Sequence, residues 1–260
     1  ILNKARGRQL TSVECCLLID EAAVTIVAGN IRRSAGMRQF ASADLAAAGA
    51  KENLWQQDSD GNWRIDPERD ALRMANHTRV FHTRPSREVV QEAVTKQFHS
   101  GEGAIQFAPE AIARSNADLL TTPELRQEFQ EIYCEQGRQE AGRWLQLNHP
   151  EMTEAELEHR LGRYGLNPCG EILGADFHCN LAEVHLNRLD PDDLEGQSDA
   201  FRAAGLSVAC LLNHRFEVER YRQSRAWDPI VGVSFTGLFD FFVHAFGTPW
   251  LEWWAAGRPE

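Results

Sequence analysis

No run of about 18 uninterrupted apolar residues occurs anywhere in the 260-residue sequence, so nothing in it is expected to span a bilayer. Basic residues are also short, with 27 Lys and Arg against 38 Asp and Glu and a formal net charge of −11. That balance excludes a protein that wraps polymeric nucleic acid, which needs cations in surplus over phosphates. Cysteines are sparse and uneven, at 15, 16, 134, 169, 179 and 210, with no C-x-x-C pair. Neither a secreted disulfide framework nor a structural zinc site is therefore expected. The reading is a reduced, cytoplasmic protein in which any special thiol does chemistry. An initiator Met and a signal-peptide apolar region are missing as well. Together with the abrupt Gly257-Arg258-Pro259-Glu260 end, this suggests an internal fragment of a longer chain. What is present, 43% hydrophobic and 25% charged residues, is ordinary globular composition, sufficient for one large core or two small ones.

Thr11-Ser12-Val13-Glu14 fits a capping box, and the apolar residues Val13, Cys16, Leu17, Val24 and Val27 continue it as a helix. The adjacent Cys15 and Cys16 then fall on different sides of that helix, at least one of them in the core. Asp58 to Asn62 reads as a surface turn. Arg79-Val80-Phe81 and Ala104-Ile105-Gln106-Phe107 read as strands, with a helix over Ser86 to Phe98 between them. Strand, helix, strand is the unit of a parallel sheet, so the fold class is α/β. Residues 119–163 turn charged and helical, with Thr122-Pro123 and Thr153 as helix starts. This stretch reads as a helical insertion covering an edge or as a plain solvated helix pair. A further helix is expected over Ala200 to Leu212, and the apolar run Ile230 to Phe235 suits a buried parallel strand.

Asn167-Pro168-Cys169-Gly170-Glu171 is the most chemically loaded segment. Pro168 biases Asn167 toward extended backbone, and Gly170 lets the chain turn beside the thiol. If the segment is extended, residues 167, 169 and 171 share one face. An amide, a thiol and a carboxylate then point together, supplying a hydrogen-bonding group, a group for radical or nucleophilic work and a general base. The competing reading is a buried cysteine in a turn. Cys179 lies ten residues further on, close enough along the chain to fold back toward Cys169 or to exchange with another thiol. His178 and His185 raise a Cys/His nucleophile or a metal site as lesser alternatives.

Asn167 to Ile172, followed by Cys179-Asn180-Leu181-Ala182-Glu183-Val184, resembles the finger-loop signature of ribonucleotide reductases, and most closely that of the monomeric, adenosylcobalamin-dependent class II enzymes. Three other segments agree in order: Gly7 to Thr11 through Val27 to Ala35, Ser100 to Gly103, and Val231 to Leu238. The resemblance covers nearly the whole chain apart from the helical stretch. It implies that residues 1–260 are part of a ten-stranded α/β barrel with a central finger loop at about 165–182. It implies a radical reduction of ribonucleoside triphosphates with adenosylcobalamin as cofactor, a deoxynucleotide effector and a thioredoxin-type reductant. By the same resemblance Cys169 is the thiyl-radical residue, Glu171 the base on the 3′ hydroxyl, and Asn167 the amide that holds substrate hydroxyls. Cys179 is one of two reducing thiols, with its partner outside this chain, and Asn30, Arg32, Arg33 and Ser34 lie near the loop that reads the effector. Two alternatives stay open: a large chain that uses a separate radical source, and a non-catalytic nucleotide-binding piece of a split or decayed gene.

Overall fold

A computed structural model describes residues 1–24 and 36–259. The chain divides into two compact units, Ile1–Ala175 and Asp176–Glu260. In the first unit, helix α1 (Ser12–Val24) begins at the expected capping box. The Thr11 N–H donates to Glu14 Oε2 at 2.9 Å, and the Glu14 N–H donates to Thr11 Oγ1 at 3.2 Å. The Arg8 guanidinium and the Thr11 N–H hold the Glu14 carboxyl down at about 2. Cys15 is exposed and Cys16 buried, as the helical reading requires. Cys16 and Leu17 pack with Ala50, Ala71 and Leu72.

Strand β1 (Gly36–Ala41) follows, then the short helix α2 (Leu45–Ala48) and the antiparallel hairpin of β2 (Trp55–Gln57) and β3 (Trp63–Ile65). The hairpin closes through the expected turn, where Asp58 Oδ1 accepts from the Asp60 and Asn62 N–H groups. Strand β4 (Ala75–Phe81) leads to α3 (Arg87–Ser100), which Ser86 caps and Gly101 ends in the left-handed region at φ +72°. Strand β5 (Ala104–Phe107) completes the strand, helix, strand unit. A three-stranded parallel sheet results, in the order β1-β4-β5. Its register places Gln39, Asn76, Thr78 and Gln106 on one face, and Arg38, Phe40, His77 and Arg79 on the other. On that second face Arg38 pairs with the fully buried Asp20 of α1, which ties helix to sheet.

Helices α4 (Ala108–Ser115), α5 (Pro123–Gln136), α6 (Arg138–Asn148) and α7 (Glu154–Leu161) enclose the largest buried cluster among the described residues. Phe129, Leu120, Leu145, Ile112 and Leu161 are all but inaccessible there. The solvated-pair reading of residues 119–163 is therefore corrected: these helices bury a core of their own, in which each large side chain removed from water contributes about 1.5–3 kcal/mol. Buried polar groups lock the far end. Arg160 Nη1 reaches Asp118 Oδ2 at 2.9 Å, Asn116 Nδ2 donates to the Arg160 carbonyl at 3.1 Å, and Ser115 Oγ donates to the Arg163 carbonyl at 2.8 Å. Directly after Arg163 the chain forms a second small hairpin, β6 (Gly165–Leu166) with β7 (Leu173–Gly174).

The second unit contains β8 (Asn180–His185), α8 (Leu194–Leu211), α9 (Glu219–Trp227), β9 (Val231–Thr236), α10 (Leu238–Phe246) and α11 (Thr248–Ala255). Asp193 starts α8 by accepting from the Gly196 N–H at 2.9 Å. Strands β8 and β9 pair in parallel, from Asn180 opposite Val231 to His185 opposite Thr236. The parallel strand expected at 230–235 is present, but its burial is not: Val231, Val233 and Phe235 are 44%, 37% and 49% exposed. Two strands and the helices of this unit cannot cover both faces, as parallel pairs ordinarily require. The α/β reading holds, whereas a ten-stranded barrel is not what the described residues form; their strands lie in four separate small sheets. No helix among them is long and apolar enough to cross a membrane.

Candidate active site: two thiol-bearing segments

Asn167 to Glu171 is a turn at the tip of the β6–β7 hairpin, not an extended segment. The Gly170 N–H donates to the Asn167 carbonyl at 3.0 Å, the closure of a β-turn with Asn167 first, Pro168 second, Cys169 third and Gly170 fourth. Pro168 supplies the fixed φ of the second position. Gly170 takes φ +79°, which a side chain would resist. The one-face arrangement of 167, 169 and 171 is therefore corrected, because residues alternate in that way only along extended backbone.

The turn sorts the three residues differently. Asn167 is buried, and its Oδ1 accepts from the Glu171 N–H at 3.1 Å and from the Ile172 N–H at 3.0 Å. Its own N–H donates to the Ile172 carbonyl at 3.3 Å. The side chain thus closes the loop from inside, as short amides do in turns. Cys169 and Glu171 are exposed. A Cβ placed on Gly170 would meet nothing within 4 Å beyond its chain neighbours, so it is the positive φ and not crowding that favours glycine there. What the turn offers is a reachable thiol and a reachable carboxylate two residues apart, on a loop stiffened by an internal amide.

Sequence reasoning missed the residues that hold this hairpin. Gln39 of β1 donates from Nε2 to the Tyr164 carbonyl at 3.0 Å and accepts at Oε1 from the Leu166 N–H at 3.0 Å. Gln106 of β5 donates to the same Tyr164 carbonyl at 3.0 Å and pairs with Gln39. Asn76 of β4 donates to the Pro168 carbonyl at 2.9 Å. The only advance signal was the polar Gln106 inside an expected strand; Gln39 and Asn76 lay outside the strands read from the sequence. His82 is also near the hairpin's base, bonded to the Tyr133 hydroxyl at 3.0 Å and edge-on to Tyr164. Burial pushes Tyr133 up to about 12.

Cys179, in the second unit, is also exposed. Its neighbours are held by rings. His178 stacks on Phe216 at 4.2 Å between centroids and lies edge-on to Tyr221 at 5.3 Å, while Arg225 covers Phe216 at 4.5 Å. Asn180 donates to the Ile230 carbonyl at 3.0 Å, and Asp176 pairs with Arg220. His178 is thus part of an aromatic cluster, and His185 ends β8. No group of three or more His, Cys, Asp or Glu able to hold a metal occurs among the described residues. Asn30, Arg32, Arg33 and Ser34, the expected effector residues, lie outside the described residues.

No family model and no solved structure matches the chain. Over 250 residues, 95% of its length, it is 27% identical to an adenosylcobalamin-dependent ribonucleoside-triphosphate reductase of Levilactobacillus brevis. A distant relative of this chain is a ribonucleotide reductase. The chain spans about a quarter of that enzyme, 27% of its length.

Proposed function

We propose that this chain is the finger-loop region of a ribonucleotide reductase that reduces ribonucleoside triphosphates with adenosylcobalamin. The observation that carries the reading is the Asn167–Glu171 turn, which presents an exposed thiol beside an exposed carboxylate on a hairpin docked to a parallel sheet. A bulky corrin cofactor can meet a protein thiol only where the approach is open. The Cys169 turn fits that requirement, since its thiol is exposed. When bound, adenosylcobalamin supplies a radical by homolysis of its cobalt–carbon bond.

The chain's own residues do the rest. Cys169 carries a weakly held S–H hydrogen, and as a thiyl it takes the 3′ hydrogen of the ribose. Glu171 accepts the proton of the 3′ hydroxyl, which assists loss of the 2′ hydroxyl as water. Asn167 shapes the turn that sets Cys169 and Glu171 relative to each other, a role supported by its two bonds to loop N–H groups. Cys179 and a second thiol deliver two electrons and end as a disulfide, which a thioredoxin-type reductant reopens. A deoxynucleotide effector and a cytoplasmic setting complete the reading.

The test is an assay of the full-length protein for deoxyribonucleotide formation, with and without added adenosylcobalamin. Cys169→Ser is expected to abolish reduction while ribonucleotide binding survives. Retained turnover in that variant overturns the reading. Turnover that needs no cobalamin moves the chain to a reductase with another radical source.

A further inference from the structure

The β6–β7 hairpin has two residues in each strand, far too few to stand alone in water. Something else must fix where its tip sits. Three carboxamides do so, all on one face of the β1-β4-β5 sheet and one from each strand: Gln39, Asn76 and Gln106. The Gln39 amide takes the place of a peptide group in a neighbouring strand. It donates to the carbonyl before Gly165 and accepts from the N–H after it, the pair that a parallel neighbour would engage. Gln106 doubles the bond to Tyr164 and holds the Gln39 amide in orientation. Asn76 bonds the Pro168 carbonyl, which belongs to the peptide link entering Cys169.

We propose that Gln39, Gln106 and Asn76 are positioning residues for Cys169, an amide clamp that sets the height and the peptide-plane orientation of the thiol-bearing turn. The proposal rests on the reading of Cys169 as the radical residue. Gln39 and Gln106 each donate and accept, and Asn76 donates, so the clamp tolerates neither a carboxylate nor an apolar replacement: a carboxylate keeps the acceptor and loses the donor. Thr78 is the internal comparison. It shares the same sheet face, but its hydroxyl is directed to Met37 Sδ, not to the hairpin.

The experiment uses the full-length protein with Gln39→Glu, Asn76→Asp and, as control, Thr78→Val. Two readouts are taken: the kcat and KM of ribonucleotide reduction, and the rate of Cys169 alkylation by iodoacetamide relative to Cys210 in the same molecule. Misplacing a reacting group by about 1 Å costs on the order of a hundred-fold in rate. Gln39→Glu is therefore expected to lower kcat about a hundred-fold and Asn76→Asp about ten-fold, with KM unchanged, a shifted Cys169 to Cys210 alkylation ratio and Thr78→Val like the parent. Asn76 is exposed, so its isosteric variant keeps the test alive if Gln39→Glu does not fold. Parent-like kcat and alkylation ratio in Asn76→Asp overturn the clamp, as does an equal loss in Thr78→Val. If Cys169→Ser itself retains turnover, the functional reading has failed, and the alkylation ratio alone decides the clamp: a shift supports it and no shift overturns it.

Discussion

Two exposed thiols in this molecule are held in place by opposite means. Around Cys169 the chain is fixed by carboxamides: Asn167 from within the turn, and Gln39, Gln106 and Asn76 from the sheet. Around Cys179 it is fixed mainly by ring faces, with His178 on Phe216 and Arg225 over the same ring. Hydrogen bonds are directional and specify the orientation of a peptide plane, whereas stacked rings hold a segment close but let it slide and tilt. On the proposed reading, the first arrangement suits a group that must meet one hydrogen atom of a substrate, and the second a thiol that exchanges with other thiols.

The largest effect tests the roles themselves. Steady-state reduction is expected to fall to background in both Cys169→Ser and Cys179→Ala, with thermal unfolding of the intact protein unchanged, since both side chains are exposed. Next comes acid sensitivity on the sheet that carries the clamp. Burial, helped by Lys51, lowers His77 from 6.5 to about 4. The folded state then favours the neutral ring, so its stabilisation is full above about pH 6.5 and is lost as pH falls toward 4. About 3 kcal/mol is at stake, and His77→Phe should flatten that part of the pH–stability curve. A smaller effect separates acceptor from donor at the turn. Asn167→Ala leaves the Glu171 and Ile172 N–H groups without their acceptor and costs about 1–3 kcal/mol in denaturant unfolding, whereas Asn167→Asp keeps that acceptor and costs less. The smallest belongs to the ring-held segment. Phe216→Leu removes both the stack under His178 and the Arg225 cation–π contact, at about 0.5–1.5 kcal/mol. A cost as large as that of Asn167→Ala would erase the contrast between the two segments.

Much of the local structure was legible in the residues. Thr11 with Glu14, Ser86, Thr122 and Thr153 each cap a helix where the pattern expected one, because a cap depends on neighbours in sequence alone. The β4–α3–β5 unit was readable for the same reason, from two apolar runs around an amphipathic helix. Strand β1 was missed: Gly36-Met37-Arg38-Gln39-Phe40-Ala41 has no strict alternation, and its pairing with β4 is a long-range event. The chemical content of Asn167-Pro168-Cys169-Gly170-Glu171 was legible, but its geometry was misread. Pro168 and Gly170 are turn residues more readily than strand residues, and the Asn167 side chain closes the turn by bonding back to the loop.

By itself the sequence determined the helix starts, the β4–α3–β5 unit, the thiol and carboxylate that carry the proposed chemistry, and a resemblance matched by one distant relative. Only the tertiary structure decided which amides of the sheet hold the Cys169 turn. The physical reason is range. Caps and turns are settled by groups within a few residues, whereas Gln39, Asn76 and Gln106 reach the hairpin from 58 to 127 residues away, through a sheet that no local pattern specifies.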